Sequence, residues 1–426
     1  MRRSVLLSFA LVVLLVSRCF AQEPIAQGEV LTLQKCLQIA LARHPDVLAA
    51  GRRVESEIAR TGQVAAADRI KMDASASYAR RSPASAVERT YDDYTADVAL
   101  SQKISDSGRN AAQLRAQSEM TDASRSNFMD VAEQVAYGVR EAYFGVLAAK
   151  RNVEVASEVV KQFEEHLLQA QGFYEAGVAP RFDVTKAQVD LSNAKLELIR
   201  AESALELAWR TLDNAMGVPR APNYDIEEAL TFEPYEISMD DAASRAYSHR
   251  PDLKAMEAQR RAAEESVTFV AKGDAAVLSL FAAYSFQGEN FPLEEGWNTG
   301  LSVSIPVVDG RLVQNQVKEA QANLQAAMAD EESLRQKVLL EVQDAYLSLV
   351  ESRERIAVAE LGVRQAMENL ELATGRYAAG VGSPIEVTDA TVSYRDAQNN
   401  HVQALYDYNV AHAALLKAMG EGASLL

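Results

Sequence analysis

Glu386 and Asp389 stand three residues apart, just beyond a Gly-Ser-Pro turn. On a helix that spacing puts both carboxylates on one face. Asp183 occupies the matching position in the first half of the chain. Carboxylates so placed can gather cations, or can simply complement the positive end of a helix. The sequence holds no phosphate loop, no catalytic-triad signature and no HExxH pair, so an enzyme reading has no motif to rest on. The five histidines occur singly. His44 and His249 stand beside Pro45-Asp46 and Pro251-Asp252, at helix corners where the Asp can cap. His166, His401 and His412 have no spaced partner beyond the weak pair at 401 and 412, so neither a metal nor a cofactor is expected. With only Cys19 and Cys36, a disulfide scaffold and a zinc finger are both excluded.

The elements that hold these residues must be built from 426 residues, 48% hydrophobic and 24% charged. The formal charge of −17, from 43 basic and 60 acidic residues, argues against nucleic acid or an anionic membrane surface as the main partner. Met1-Arg2-Arg3, the apolar run Val5 to Val16 and the small residues Cys19 and Ala21 read as a secretory signal over residues 1–21. Lipidation of Cys19 is the alternative, with Arg18 standing where a small residue is wanted. No other apolar run is long enough for a membrane helix, so any entry into a bilayer must be as strands of a closed barrel.

The chain is written twice. Tyr174-Glu175-Ala176-Gly177-Val178 returns as Tyr377-Ala378-Ala379-Gly380-Val381. Asp183-Val184-Thr185 returns as Glu386-Val387-Thr388, and Ala215-Met216-Gly217 as Ala418-Met419-Gly420, each offset by 203 positions. Two copies of this size indicate an internal duplication rather than a solenoid. The first repeat is expected over residues 22–217 and the second over 238–420. A Pro-rich, acidic linker lies between them at 218–237, and a short tail at 421–426.

No proline lies between Pro83 and Pro180 or between Pro306 and Pro384. In these windows apolar residues keep a helical beat. It runs through Val131, Val135, Val139, Ala142 and Val146 to Val153, Ala156, Val160, Phe163 and Leu167, and repeats from Leu334 to Leu370. The period is about 3.5, the spacing of a coiled coil. A helix from Gly108 to Gly172 would run about 98 Å, far beyond a globular core, and must pack against other long helices. A Gly-rich turn follows in each half, Gly172 to Pro180 and Gly375 to Pro384. A second helix then returns, Asp183 to Met216 and Glu386 to Met419. The hairpins are thus expected over about 108–217 and 310–420.

Ahead of each hairpin come short alternating runs: Ala74 to Arg80, Tyr94 to Ile104, Val277 to Gln287 and Asn298 to Val308. These give strand pairs at about 74–104 and 277–308, with Pro83 and Pro292 in the intervening loops. One wet and one apolar face suits a barrel wall in a membrane; a half-buried sheet in a soluble domain has the same period. Four strands cannot close a barrel, whereas three chains would supply twelve.

The signal, the duplication and the strand pairs occur together with the tip Arg376-Tyr377-Ala378-Ala379-Gly380-Val381-Gly382-Ser383-Pro384-Ile385-Glu386-Val387. The opening Ala40-Leu41-Ala42-Arg43-His44-Pro45-Asp46 is echoed at Ala246-Tyr247-Ser248-His249-Arg250-Pro251-Asp252. From Leu31 to Gly420 the chain resembles the TolC family of outer-membrane efflux proteins. The resemblance implies a mainly α fold with a β-barrel part: a homotrimer with a 12-stranded outer-membrane barrel and a helical tunnel across the periplasm. Substrates would come from an inner-membrane efflux or ABC transporter through a periplasmic adaptor protein, with outer-membrane lipid around the barrel. It also implies a periplasmic gate at Glu386, Asp389, Asp183 and Tyr377. The adaptor would dock on tips formed by Gly177, Val178, Arg376, Gly380, Val381 and Ser383. The family's arginine partner for the gate tyrosine is missing, because Gly382 stands in its place; Arg181 and Arg376 are the candidates to replace it. The competing reading is a secreted periplasmic coiled-coil scaffold with no channel.

Overall fold

A computed structural model describes residues 25–82, 90–219 and 221–423. The expected signal at 1–21, with Cys19, the loop proline Pro83 and the last residues 424–426 lie outside the described residues.

The proline-free windows form two helices of 67 residues each, α3 (Arg109–Glu175) and α7 (Leu312–Ala378). Each is about 100 Å long at 1.5 Å per residue. Shorter helices lie against them in two tiers. Toward the sheet these are α2 (Pro45–Ala65) and α6 (Pro251–Ala271). Toward the turns they are α4 (Arg181–Ala215) and α8 (Pro384–Met419). The short helices α1 (Leu33–Arg43) and α5 (Met239–His249) brace the middle of the rods.

The wall is not symmetric. Helix α3 packs on α4, α2, α6 and α8, whereas α7 packs on α8, α6 and α5. Accordingly α3 buries 21 residues and α7 only nine. The expected seam holds in α7, where Val338, Val342, Ala345, Leu349, Ser352 and Ile356 are buried. In α3 it rotates. Val153, Ala156, Val160 and Leu167 are only half-buried, while Val155, Val159, Phe163, His166 and Ala170 are buried. The second neighbour, α8, turns the covered face away from the simple two-helix stripe.

The segment expected as a linker is part of the core. Within it β4 (Asp225–Ile226) pairs in parallel with β1 (Val30–Leu31). Ile226 and Leu230 pack with Leu31, Cys36, Tyr143 and Met216. The Tyr143 hydroxyl donates to the Glu227 carbonyl at 2.7 Å, and in the other half Tyr408 donates to the Glu233 carbonyl at 2.7 Å. The buried tyrosine rings thereby find partners for their hydroxyls. The tail is also held, since Arg140 donates to the Gly422 carbonyl at 2.6 Å.

The repeated Ala-Met-Gly and Pro-Asp motifs meet in space. Gly217 and Gly420 adopt φ +70° and +73° and end α4 and α8. A Cβ at Gly217 would come 2.8 Å from the His44 Cα, and one at Gly420 would come 2.9 Å from the Arg250 Cα. Only glycine tolerates both the left-handed backbone and that approach. At the first corner the cap is His44, whose Nδ1 accepts from the Asp46 amide at 3.2 Å, rather than Asp46 as expected.

The four strands form one antiparallel sheet in the order β2 (Lys71–Arg81), β3 (Tyr91–Ser105), β5 (Val277–Gly288), β6 (Glu294–Ser304). Strand β6 begins and ends earlier than expected from Asn298 to Val308. Its pairing starts opposite Gln287, and Pro306, which lacks an amide hydrogen, lies beyond its end. The register puts Met72, Val98, Tyr284 and Trp297 on one face and Ser75, Asp97, Ser285 and Asn298 on the other. A soluble sheet would cover the apolar face. Here that face lies open, with Trp297 75% exposed, and aromatic residues gather at its far end, where Tyr78 and Tyr94 stack at 5.0 Å. Among the described residues no helix is long and apolar enough to cross a membrane.

Candidate functional site

The two hairpin turns are copies of one design. Each long helix ends in a left-handed glycine, Gly177 at φ +73° and Gly380 at φ +74°. The Gly177 amide donates to the Tyr174 carbonyl and Val178 to Phe173, each at 3.0 Å. Gly380 donates to Tyr377 and Val381 to Arg376, also at 3.0 Å. These paired bonds satisfy carbonyls that a helix end leaves open. At each tip two apolar side chains face outward: Val178 and Phe182 on one, Val381 and Ile385 on the other. Phe182 and Ile385 were not among the expected docking residues, although they obey the same 203-residue offset.

The returning helices start differently. Helix α8 opens with a capping box. The Glu386 amide donates to the Ser383 hydroxyl and the Ser383 amide to a Glu386 carboxylate oxygen, both at 3.3 Å. The other oxygen accepts from Arg376 Nε at 3.3 Å. Arg376 beside Glu386, helped by the Ser383 amide, holds this exposed carboxyl below the usual glutamate range. Helix α4 opens at Pro180 with no side-chain cap. Asp389 is exposed, whereas Asp183 is half-buried.

The Tyr377 hydroxyl has no hydrogen-bond partner and receives none from Arg376. The Arg376 guanidinium stays in its own turn, donating to Glu386 and to the Val381 carbonyl at 3.3 Å. Gly382 has a steric cause. A Cβ there would lie 2.8 Å from the Tyr377 amide nitrogen and 3.0 Å from the Arg376 carbonyl carbon, so this turn excludes any side chain at 382.

Between the hairpins the helices enclose polar groups. Tyr377 is buried, its ring 5.1 Å from His166 and 5.3 Å from Phe173. Burial, followed by the Asp183 charge, pushes its phenol pKa up. Asp190 is buried on α4, where Lys186 Nζ donates to it at 2.6 Å. The Thr388 hydroxyl of α8 also donates to Asp190, at 3.0 Å, and bridges the hairpins. The fold therefore brings Tyr377 toward Asp183 and Arg376 to Glu386, while Asp389 joins neither group. Sequence reading passed over His166 as a lone histidine, and missed Asp190 and Thr388. Only the repeat pointed to Thr388, as the counterpart of Thr185.

Among the described residues no cluster of three or more His, Cys, Asp or Glu could hold a metal ion. What the tip can do is electrostatic and mechanical: present exposed carboxylates and hold two hairpins together through the Thr388–Asp190 bond and the His166–Tyr377 ring contact.

The profile of a family described as outer membrane efflux protein matches residues 36–218 and 242–421, one segment in each repeat. Protein CyaE of Bordetella pertussis is 25% identical over 402 residues, covering 92% of this chain and 84% of that protein. The alkaline protease secretion protein AprF of Pseudomonas aeruginosa is 24% identical over 342 residues, covering 77% and 70%. The Campylobacter jejuni CmeC outer membrane channel superposes with a TM-score of 0.80 at 19% identity, covering 92% of this chain and 86% of that one; this is a likeness of fold.

Proposed function

The chain belongs to the outer membrane efflux protein family, and from that membership we propose that three copies assemble into a conduit, each giving four strands to a 12-stranded barrel. It is an outer-membrane channel, with its helical part in the periplasm, of the kind that serves tripartite efflux or type I secretion. The observation that carries the trimer is the sheet. One face is apolar and uncovered, and among the described residues neither β2 nor β6 has a partner on its outer edge. Open edges are a liability that closure removes, and four strands are too few to close. The helical wall has matching open sides, with Leu196, Ile199 and Leu207 exposed on α4 and Leu340, Leu347 and Val358 exposed on α7. A second copy would cover them, as apolar stripes at helical spacing require.

In this assembly the hairpin tips form the periplasmic aperture. Glu386, Asp389 and Asp183 supply its negative charge, with Tyr377 bracing the wall behind them. Gly177, Val178, Arg376, Gly380, Val381 and Ser383, with Phe182 and Ile385 beside them, form the surface that meets a periplasmic adaptor. The adaptor delivers substrate from an inner-membrane efflux or ABC transporter.

The test is chemical cross-linking and planar-bilayer recording of protein extracted from membranes in detergent. A three-chain product and stepwise conductance are expected. A water-soluble single chain that conducts nothing would refute the assembly.

A further inference from the structure

One group buried between the hairpins has no part in the conduit described so far. His166 of α3 is 5% exposed, and its Nδ1 is enclosed without a hydrogen-bond partner. Facing it from α7 is Tyr377, whose hydroxyl is also enclosed and unpartnered. From α4 come Asp183, Lys186 and Asp190. Helix α8 reaches the group through Thr388, which donates to Asp190. Helices α3, α4 and α7 therefore contribute groups around this imidazole, with α8 joined to them through Asp190, and separating the hairpins would open it to water.

We propose that His166 is an acid-sensitive latch on the aperture: the neutral ring, packed against Tyr377, holds the α7–α8 hairpin against α3–α4, and protonation releases it. The inference rests on the reading of the tips as the aperture. A cation enclosed there without a hydrogen-bond partner is costly, whereas the same cation in water is not. Burial is the largest influence on His166 and pulls its pKa below the ordinary 6.5; Lys186 acts in the same direction, and the charges of Asp190 and Asp183 oppose them without reversing the result.

The packed state binds the proton less readily than the open state. Packing is therefore fully favoured above pH 6.5 and weakens as pH falls from there through the packed-state pKa. Each unit of depression is worth about a tenfold factor in the packed-to-open ratio of one chain. Glu386 does not titrate in this window, because Arg376 holds its carboxyl below the ordinary 4.5.

His412 provides a matched control. It is half-buried and also encloses an unpartnered ring nitrogen, but it packs on Tyr235, and 24 helical residues place it about 36 Å along α8 from Thr388.

The full chain in planar bilayers, with the tip side taken from about pH 7.5 to about pH 5.5 around the histidine range, tests the latch. Wild-type conductance should rise severalfold. His166→Gln and His166→Phe should lose the rise, and His412→Gln should keep it. A rise that persists in both His166 variants, or a wild type that conducts equally at both pH values, overturns the proposal. Hydrogen exchange over residues 162–190 and 373–391, scaled for intrinsic rate, gives an independent reading. Faster exchange in acid for wild type alone supports the latch, and equal exchange in the variants refutes it. If the protein conducts at neither pH, it is the channel reading that fails, and exchange still decides the latch.

Discussion

Replacing Thr388 by Val removes one hydroxyl and almost no volume. That hydroxyl donates at 3.0 Å to Asp190, a buried carboxylate on the other hairpin that also accepts from Lys186. A hydrogen bond to a charged group is worth about 1.5–3 kcal/mol, and the half-buried Thr388 argues for the lower end. At 1.4 kcal/mol per tenfold, a loss of about 1.5–2 kcal/mol shifts the closed-to-open ratio of one chain by about 10- to 30-fold. Thermal stability of the rods should barely change, because the bond lies between hairpins rather than within one. Single-channel recording at neutral pH is the assay, and the open probability should rise by about that factor. Thr185→Val is the control. Thr185 holds the equivalent repeat position, but its hydroxyl donates to the Arg181 carbonyl of its own helix at 3.2 Å. An open probability within about twofold of wild type for Thr388→Val, against the factor set by that bond, would refute the claim that the Thr388–Asp190 contact holds the tip closed.

Two further outcomes are expected. Gly420→Ala meets both a left-handed backbone, costing about 1–2 kcal/mol, and backbone atoms of Arg250 at 2.9 Å; overpacking there adds about 1–3 kcal/mol. Gly380→Ala has the same backbone sign with nothing within 4 Å, so it should pay the first cost alone, and thermal unfolding should rank Gly420→Ala clearly below it. The Cys36 thiol is fully buried and pushed up to about 12 by burial. At pH 8 only about one thiol in ten thousand is then ionised, so a thiol reagent should label Cys36 only after unfolding.

The long helices, the turns between them and the strand alternation were legible because each is a local property. Proline exclusion, a 3.5-residue beat and alternating faces depend on neighbours a few positions away. The duplication made the second half a check on the first, and Gly177 and Gly380 indeed adopt the same left-handed turn. Legibility failed where burial depends on a partner from a distant part of the chain. Residues 218–237 read as a linker because Pro and acidic residues are frequent there, yet Ile226 and Leu230 are core residues once β4 has found β1. The α3 stripe was drawn for one neighbour, and α8 supplied a second.

By itself, then, the sequence determined rods of about 100 Å, two glycine turns and strands with one apolar face, since backbone sterics and side-chain period act over short range. Tertiary structure alone decided the chemistry of the tip. It set Thr388 against Asp190 across 198 positions and closed His166 beneath Tyr377 across more than 200. It also left no room for a side chain at Gly382. A buried polar group acquires its properties from whatever excludes water from it, and in this protein that enclosure is built by helices drawn from both halves of the chain.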